Sequence, residues 1–272
     1  MPTILQISDT HLSPRNGLFL GNVERLRRLA EELRPDLTVF SGDLSLDGAD
    51  REGDMAFAAE LLRAFPGPAL FLPGNHDTGS HPFTMPKQPA SEERMARFRR
   101  HFGAGHGLVD LPGWRIVGLN TEVMGTGIAE ESAQAGFITE AAAGIGDRRL
   151  ALFLHKPVFV TRMDDPQIDI WSVPPAARPG LAPLLGHPGL RLVASGHLHM
   201  HHPMLVAGVP YVWSPALSFV MRPDEQDGLP GDRRCGVLLH HLGEDAVRTE
   251  FLVPEGVETI WAADIAHLTY PA

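Results

Sequence analysis

Short apolar runs that end abruptly in polar residues are the feature that most constrains the fold of this chain. Between them lie amphipathic stretches of helical period, at residues 23–33, 54–65, 92–102 and 132–143, and Ser132 is placed to cap the last of these. The apolar runs occupy residues 3–8, 37–41, 69–72, 114–120, 150–154 and 190–194. Strands that alternate with helices in this way predict βαβ units and a largely parallel sheet.

The pattern changes after Gly208, where apolar runs follow one another without a helical stretch between them. Residues 210–213, 236–241 and 247–253 are typical of consecutive strands, and we expect a second, mostly antiparallel sheet. The predicted fold class is therefore α/β, a layered sandwich of two mixed β-sheets flanked by helices. We expect one domain over residues 1–272, with the sequence motifs in residues 1–205 and residues 206–272 completing the second sheet.

Composition excludes several classes of protein. Hydrophobic residues make up 43% of the 272 residues, which allows a sizeable core and argues against intrinsic disorder. The formal net charge of −10 argues against general nucleic-acid binding. The chain has one cysteine, Cys235, so it cannot form an internal disulfide and is not a disulfide scaffold.

Signals for export or membrane insertion are the next feature to consider. The residues from Met1 to Ile7 include no basic segment followed by a long apolar one, so we expect no signal peptide. Because no window approaches about 18 uninterrupted apolar residues, we expect no transmembrane helix and no membrane partner. The sequence thus predicts a soluble, cytoplasmic protein.

Aspartate, asparagine and histidine side chains follow five of the predicted strands at their carboxyl ends. In open α/β sheets this edge is where ligands bind. Two pairs, Asp9-x-His11 and His197-x-His199, have the spacing at which alternate residues of an extended segment point the same way. The candidate ligands are Asp9, His11, Asp43, Asn75, His155, His197 and His199.

Each candidate alone has an ordinary structural explanation, since an aspartate after a strand usually caps a turn and a lone histidine is more often a satisfied core residue. Their joint placement favours a metal site. Carboxylate, imidazole and amide donors without thiolates suit Mn, Fe or Zn and argue against a structural zinc site. The candidates are too many for one tetrahedral ion but suit two metal ions that share a bridging carboxylate and act at phosphorus.

The chain resembles the calcineurin-like metallophosphoesterase family over residues 9–199. The blocks of that family occur in order, as Asp9-x-His11, Gly42-Asp43, Gly74-Asn75-His76-Asp77, His155 and Gly196-His197-x-His199. The resemblance implies the αββα fold of metallophosphoesterases and two divalent or trivalent transition metal ions, of Mn, Fe or Zn. It also implies that the protein is a metal-dependent phosphoric ester hydrolase.

The resemblance further implies a role for each site residue. Asp43 would bridge the two metal ions, together with a hydroxide that attacks phosphorus. His76 would contact the phosphate and help to protonate the leaving oxygen, and Asp77 would orient His76. Asn75 and His76 would bind substrate. The other ligands would divide between a first metal, held by Asp9, His11 and His199, and a second, held by Asn75, His155 and His197.

Three runs of sequence resemble one branch of the family in particular: Ser8-Asp9-Thr10-His11, Gly42-Asp43-Leu44-Ser45-Leu46-Asp47-Gly48 and Leu154-His155-Lys156-Pro157. By these runs and its size, the chain is most similar to bacterial class III cyclic-nucleotide phosphodiesterases and their glycerophosphodiesterase relatives. This similarity implies hydrolysis of a small phosphodiester. Ser45 and Leu46 stand where many relatives have threonine and aspartate, so contacts near this turn are expected to differ. Two alternatives stay open, namely a phosphomonoesterase or nucleotide pyrophosphatase that uses the same site, and an inactive metal-stabilised binding protein. The complete set of motifs counts against the inactive protein.

Two long loops and three aromatic residues lie outside the motifs. The proline-rich loops at residues 78–90 and 161–179 are candidates for covering a site. A cyclic nucleotide would need a stacking partner for its base. The candidates for that partner are Phe83, Trp171 and Trp213.

Two further questions stay open at the level of sequence. His201 and His202 follow the last ligand pair without an assigned role. A homodimer is neither favoured nor excluded, because late apolar residues such as Val212, Trp213 and Phe251 suit an interface and a core equally well. A long nucleic-acid substrate is disfavoured, since we find no basic patch interleaved with aromatic residues.

Overall fold

The computed structural model describes residues 1–244 and 246–269. Its strands are β1 (Thr3–Ile7), β2 (Leu37–Ser41), β3 (Ala69–Leu72), β4 (Gly107–Leu111), β5 (Trp114–Gly118), β6 (Arg149–Phe153), β7 (Leu190–Ser195), β8 (His202–Val206), β9 (Val209–Trp213), β10 (Val237–Leu242) and β11 (Val247–Leu252). Its α-helices are α1 (Leu20–Leu33), α2 (Glu52–Leu62), α3 (Asn75–Thr78), α4 (Glu92–Phe102), α5 (Ala129–Ala143), α6 (Ala182–Leu185) and α7 (Ala262–Thr269). Short 3-10 helices lie at Thr121–Val123, Pro175–Leu181 and Pro223–Gln226. Within the described residues, no helix is both long enough and apolar enough to cross a membrane.

The strands form two mixed sheets. The first has the order β11-β10-β1-β2-β3, and the second has the order β4-β5-β6-β7-β9-β8. Neighbouring strands are parallel in the block β1-β2-β3 of the first sheet and in the block β5-β6-β7-β9 of the second. The strands that extend these blocks, β10, β11, β4 and β8, pair antiparallel. The two parallel blocks are the βαβ units that the alternation of strands and helices predicted.

The six strands and four helices expected before Gly208 are confirmed, with ends that differ by a few residues. One expected detail is wrong, because α5 begins at Ala129 and Ser132 therefore lies inside the helix instead of capping it. Two strands, β4 and β8, escaped the sequence pattern. Each lies at an edge of the second sheet and exposes alternate residues, so neither forms a continuous apolar run.

Contrary to our expectation, the late strands do not all complete the second sheet, and that sheet is not mostly antiparallel, since three of its five strand pairings are parallel. β8 and β9 complete the second sheet, whereas β10 and β11 extend the first sheet beside β1. Residues on both faces of β10 are buried, so this strand requires a position inside a sheet that is covered on both sides. It lies between β11 and β1, with Thr3 opposite His241. Residues 245 and 270–272 of the expected carboxyl-terminal part lie outside the described residues.

Apolar side chains from both sheets form the central layer of the core. The cluster between the sheets includes Val39 and Leu238 from the first sheet and Phe153 and Val212 from the second. A second cluster packs α1, α2 and α4 against the outer face of the first sheet. A third packs α5 and α6 against the second sheet. The layered sandwich of two sheets flanked by helices is thus confirmed.

The late apolar residues that left a homodimer open belong to the interior. Val212 and Trp213 are buried, and Phe251 packs against the cluster between the sheets. Their apolar character is therefore explained by the core. They give no argument for an interface between copies of the chain.

A chain of polar side chains crosses the interior close to the central layer. His240 is fully buried, with Nε2 at 3.0 Å from Gln6 Oε1 and Nδ1 at 2.8 Å from Thr249 Oγ1. Gln6 donates its amide hydrogen to Ser41 Oγ at 3.0 Å, so its carbonyl oxygen accepts from His240. Burial lowers the pKa of His240 to about 3, and the imidazole is neutral near pH 7.

This burial predicts a loss of stability in mild acid. An unfolded histidine has a pKa of about 6.5, so the unfolded chain binds a proton that the folded chain excludes as the pH falls from about 6.5 towards 3. Between pH 7.5 and 5, we expect the wild type to lose about 2 kcal/mol more free energy of unfolding than His240→Gln. Urea denaturation of both proteins in chelator at each pH measures the difference. Equal losses would contradict the buried neutral histidine.

Candidate metal centre

The structure brings all seven candidate ligands together at one edge of the sandwich. Asp9, His11, Asp43 and His199 form one group, and Asp43, His155 and His197 form another. In each group, one donor atom from every residue lies within 4.8 Å of the others. Asn75 joins the second group, with Oδ1 at 3.3 Å from His155 Nε2. Asp43 is common to both groups and is placed to be shared.

Chain topology explains why the residues meet. The five parallel strands that supply them all point their carboxyl ends at this edge, where a βαβ sheet binds its ligands. Each ligand segment begins within three residues of a strand end. Asp9 follows β1, Asp43 follows β2, Asn75 follows β3, His155 follows β6 and His197 follows β7.

The ligand segments are tight turns and not extended chain. A left-handed backbone is found at Asp9 (φ 56°), His11 (φ 44°), Asp43 (φ 50°), His197 (φ 69°) and His199 (φ 52°). We expected Asp9 and His11, and likewise His197 and His199, to lie on extended segments. That expectation is wrong, although both members of each pair reach the site. Such a backbone costs roughly 1–3 kcal/mol per residue and persists only where the surroundings enforce it. Here Asp9 N and His11 N each donate to a carbonyl of the turn after β2 at 3.0 Å.

Two glycines allow these turns to approach one another. Gly42 has φ 96°, and a Cβ built there would collide with the ring of His155. A Cβ at Gly74 would collide with the carboxylate and backbone of Asp43. The positions that precede the ligands thus need glycine for space, and at Gly42 for conformation as well.

Donor atoms in the first group are close together. His11 Nε2 lies 3.3 Å from His199 Nε2 and 3.6 Å from Asp43 Oδ2. His199 Nε2 lies 3.2 Å from Asp9 Oδ1. In the second group, His155 Nε2 lies 3.4 Å from Asp43 Oδ2 and 3.2 Å from His197 Nδ1.

These residues fit metal ions. Asp9 Oδ1 is buried and, among the described residues, accepts no hydrogen bond, because His199 Nε2 at 3.2 Å faces it with a lone pair when the ring is neutral and Nδ1 donates to Phe219 O. Two such acceptors side by side are costly unless a cation lies between them. Imidazole nitrogens that face each other at 3.2–3.3 Å cannot all be protonated, but all can donate lone pairs to a metal. The mixture of nitrogen and oxygen donors suits a transition metal.

The outer nitrogens of three ligand histidines are held by backbone carbonyls. His155 Nδ1 lies 2.8 Å from Ser41 O, and His199 Nδ1 lies 2.7 Å from Phe219 O. His197 presents Nδ1 to the second group, and its Nε2 lies 2.9 Å from Ile170 O. Because a carbonyl only accepts, each outer nitrogen carries a proton, and in the neutral ring the inner nitrogen offers its lone pair. The tautomer needed for metal binding is therefore fixed by the fold.

Charge and burial set the protonation of the site. Burial raises the pKa of Asp43, but the neighbouring histidines, His155 first, hold it well below its usual range. Burial lowers the pKa of His155, but nearby carboxylates, Asp43 first, outweigh this and raise it to about 10. Burial is also the main cause of the strongly lowered pKa of His11 and of His197. Metal binding at the second group must therefore displace a proton from His155.

His76 lies beside the first group. Its backbone N donates to Asp43 Oδ1 at 2.8 Å, and its Nδ1 donates to Leu46 O at 2.8 Å. Its ring meets the ring of His11 edge-on, with centroids 4.7 Å apart. Because the contact with Leu46 uses the main chain, the departure from the family's aspartate at this position does not remove it.

Asp77 joins the turn that carries Asp43 to the turn that carries His76. Its buried carboxylate accepts hydrogen bonds from Leu44 N at 3.0 Å, Gly74 N at 2.9 Å, Ser45 N at 2.9 Å and Ser45 Oγ at 2.6 Å. These bonds tie the turn after β2 to the turn after β3. Asp77 thus holds the turn that carries His76, and its part in orienting His76 stays a prediction.

Sequence reasoning missed the segment that follows β9. The Phe219 ring packs against the rings of His11 and His199, with centroids 4.9 and 4.5 Å apart. Ser218 Oγ donates to Asp9 O at 2.6 Å. The segment follows the carboxyl end of a parallel strand, and that position is the signal that could have indicated it.

Both long loops reach the site. Thr84 and Met85 of the 78–90 loop and Trp171 of the 161–179 loop line a cavity that also contains metal-ligand candidates. Trp171 is thus the stacking candidate that lies at the site. The other two stacking candidates do not line this cavity: Phe83 is 71% exposed, and Trp213 is buried in the core.

His201 and His202 lie outside both ligand groups. His201 Nδ1 lies 3.1 Å from Trp213 O, and the His202 ring packs 5.0 Å from the Trp213 indole. Their contacts are those of side chains that stabilise the end of the second sheet. Neither histidine contributes a nitrogen to the two groups of metal-ligand candidates.

Comparisons with known proteins agree with this geometry. A family model described as calcineurin-like phosphoesterase matches residues 2–201. The chain is 26% identical over 211 residues to a protein of Arcobacter nitrofigilis named a probable glycerophosphodiester phosphodiesterase, covering 72% of this chain and 71% of the relative. It is 27% identical over 278 residues to a cAMP/cGMP dual-specificity phosphodiesterase of Mycobacterium tuberculosis, covering 94% and 81%. A dimetal phosphatase from Danio rerio has the same fold, with a TM-score of 0.59, 15% identity and coverage of 92% and 95%.

The position of Asp43 in both ligand groups predicts how many metal ions the chain binds. We expect two Mn²⁺ ions per chain after reconstitution, because the ligands form two groups. Asp43→Ala should lower metal content at both sites, whereas His11→Ala should lower it mainly at the first. Elemental analysis and calorimetric titration measure both effects, with circular dichroism to check the fold. One ion per wild-type chain at saturation would contradict a shared Asp43.

Proposed function

Because this chain belongs to the calcineurin-like phosphoesterase family, we propose that it hydrolyses small phosphodiesters of the cyclic-nucleotide or glycerophosphodiester type. Two of its relatives are named phosphodiesterases, which supports the proposal. The observation that carries it is that two cavities lie beside the metal centre: Asn75 and His197 of the centre line one, and His76, whose ring contacts His11, lines the other. A diester has an alcohol on each side of phosphorus and needs both spaces, whereas a monoester needs one.

The two cavities differ in size and lining. The cavity at His76 has a volume of about 810 Å³, and its wall includes Arg15, Arg51 and Lys87. The cavity at Asn75 has a volume of about 180 Å³. Thr84 and Met85 line both, so the 78–90 loop lies at the border between the two spaces.

Metal ions at the two ligand groups would supply positive charge to the phosphoryl oxygens and lower the pKa of a water molecule towards neutrality. Asp43 contributes a carboxylate to both groups, and the carbonyls behind His155, His197 and His199 fix the tautomers. The tight turns after the strands hold these donor atoms in place before substrate binds. The ligand side chains therefore need little rearrangement during the reaction.

His76 supplies the proton in this proposal. Its ring lies beside the first ligand group and at the wall of the larger cavity. An imidazole there can donate a proton to an alkoxide that leaves phosphorus. The leaving alcohol therefore belongs in the larger cavity, and the alcohol that stays on phosphorus belongs in the smaller one. Asn75, at the smaller cavity, contacts the phosphoryl group from the other side.

The same centre could serve a phosphomonoesterase or a nucleotide pyrophosphatase, because the metal ions act on phosphorus and not on the rest of the ester. The second cavity favours the diester over the monoester. An inactive metal-stabilised binding protein is disfavoured by the intact set of ligands and by His76 beside it.

Substrate preference tests this proposal directly. With saturating Mn²⁺, we expect kcat/KM for bis(p-nitrophenyl) phosphate to exceed that for p-nitrophenyl phosphate by about tenfold or more, because the diester fills both cavities. Release of nitrophenolate measures both rates with one chromophore. Faster hydrolysis of the monoester would instead make the protein a phosphomonoesterase.

The role of His76 has its own test. General acid catalysis contributes roughly 10²–10⁴-fold, and most of this is needed by a poor leaving group. His76→Ala should therefore slow hydrolysis of an alkyl diester, such as glycerophosphoethanolamine, far more than that of bis(p-nitrophenyl) phosphate. Metal content, measured on the same samples, should stay at the wild-type level. Equal losses on both substrates would assign His76 to phosphate binding, and loss of metal would make its role structural.

A further inference from the structure

The smaller cavity contains a buried cation that the proposed chemistry does not use. Lys156 directly follows the ligand His155, and its side chain is 5% exposed. Its Nζ donates to Ser80 Oγ at 2.7 Å and lies 3.4 Å from Glu122 Oε2. Lys156 and Ser80 both line the cavity, together with Asn75 and His197 of the metal centre.

The pair formed by Lys156 and Glu122 is unusual for a structural element. Burying both charges costs several kcal/mol of desolvation, and an apolar pair of the same shape would often be as stable. Glu122 Oε2 is buried and, within the described parts of the chain, accepts no hydrogen bond. An ammonium group has three N–H donors, and the described contacts of Lys156 are Ser80 and Glu122. A donor is thus left for a ligand in the cavity.

The charge balance limits what such a ligand can be. Glu122 neutralises Lys156, so the cavity offers a strong hydrogen-bond donor without net positive charge. A second phosphate or a carboxylate would gain little there, whereas an uncharged oxygen acceptor would gain a charge-assisted hydrogen bond. Trp171 and Ile170 form an apolar wall beside these polar groups.

Size limits the ligand further. Pockets that enclose whole drug-sized ligands have volumes of roughly 300–1,000 Å³, and this cavity has about 180 Å³. It therefore suits a fragment such as a three-carbon polyol and is small for a nucleoside. The larger cavity, of about 810 Å³, has room for a bulkier leaving alcohol.

We propose that Lys156 is a specificity-determining residue that donates a hydrogen bond to a hydroxyl of the alcohol retained on phosphorus, and that this alcohol is a small polyol. The inference rests on the proposed phosphodiesterase function and adds the class of substituent to it. In this arrangement the phosphoryl group lies at the metal centre, the polyol extends past Asn75, and Trp171 covers its carbon atoms.

Two matched substrates test the inference. Glyceryl p-nitrophenyl phosphate and propyl p-nitrophenyl phosphate share a leaving group and differ in two hydroxyls on the retained alcohol. For the wild type with Mn²⁺, we expect kcat/KM to favour the glyceryl ester by about 10- to 100-fold, the range of a hydrogen bond to a charged group. Lys156→Met combined with Glu122→Gln, which leaves no unpaired buried charge, should reduce the ratio to about one.

A matched control separates this role from a structural one. Arg115→Met removes another buried cation, which pairs with Asp110 at 2.8 Å. Arg115 lies opposite Leu150, near the amino-terminal end of β6, whereas Lys156 follows the carboxyl-terminal end of that strand. The Arg115→Met substitution should lower stability without changing the glyceryl-to-propyl ratio. A ratio that Lys156→Met with Glu122→Gln leaves unchanged would overturn the proposal.

A binding measurement separates the failure of this inference from the failure of the proposed function. Calorimetry on the metal-loaded wild type compares Kd for glycerol 3-phosphate and for propyl phosphate, and we expect tighter binding of glycerol 3-phosphate. If neither diester is hydrolysed, the phosphodiesterase proposal is wrong. The two Kd values still show whether the smaller cavity binds the hydroxyls of a polyol. Equal Kd values would overturn the inference, including in the case where the double variant does not fold.

Discussion

Attraction between the buried carboxylate of Asp43 and the imidazoles around it is the interaction on which this centre depends. A carboxylate removed from water must be compensated by nearby positive charge or hydrogen bonds. Here the His155 imidazole, whose pKa is raised to about 10, approaches Oδ2 at 3.4 Å, while the backbone of His76 donates to Oδ1 at 2.8 Å. Removing this one side chain would leave both ligand groups without their common member.

Hydrogen bonds to the backbone position most of the other metal-ligand candidates. Asp77 joins two turns through four hydrogen bonds, and the carbonyls of Ser41, Ile170 and Phe219 each orient one ligand histidine. All but one of these contacts have a main-chain atom on one side, the exception being that of the Ser45 hydroxyl with Asp77, so they depend on the path of the chain. The residues that bind metal can therefore be few while the structure that positions them extends across both sheets and one long loop.

Local rules explain how much could be predicted from the sequence. Asp9, Asn75 and His155 could be found because each follows an apolar run, and the topology of a parallel sheet brings such ends together. The pairing of β10 with β1 could not be found, since an apolar run indicates a strand but not its neighbour. Phe219 was missed for a similar reason: its contacts with His11 and His199 join parts of the chain that no local spacing relates.

The left-handed backbone at five of the metal-ligand candidates has an evolutionary consequence. At these positions glycine would relax the main chain, so backbone conformation alone favours glycine over each ligand. The contacts that the aspartates and histidines make with one another and with the surrounding turns offset that preference. Drift of the sequence towards glycine would ease these turns and remove the metal ligands in the same step.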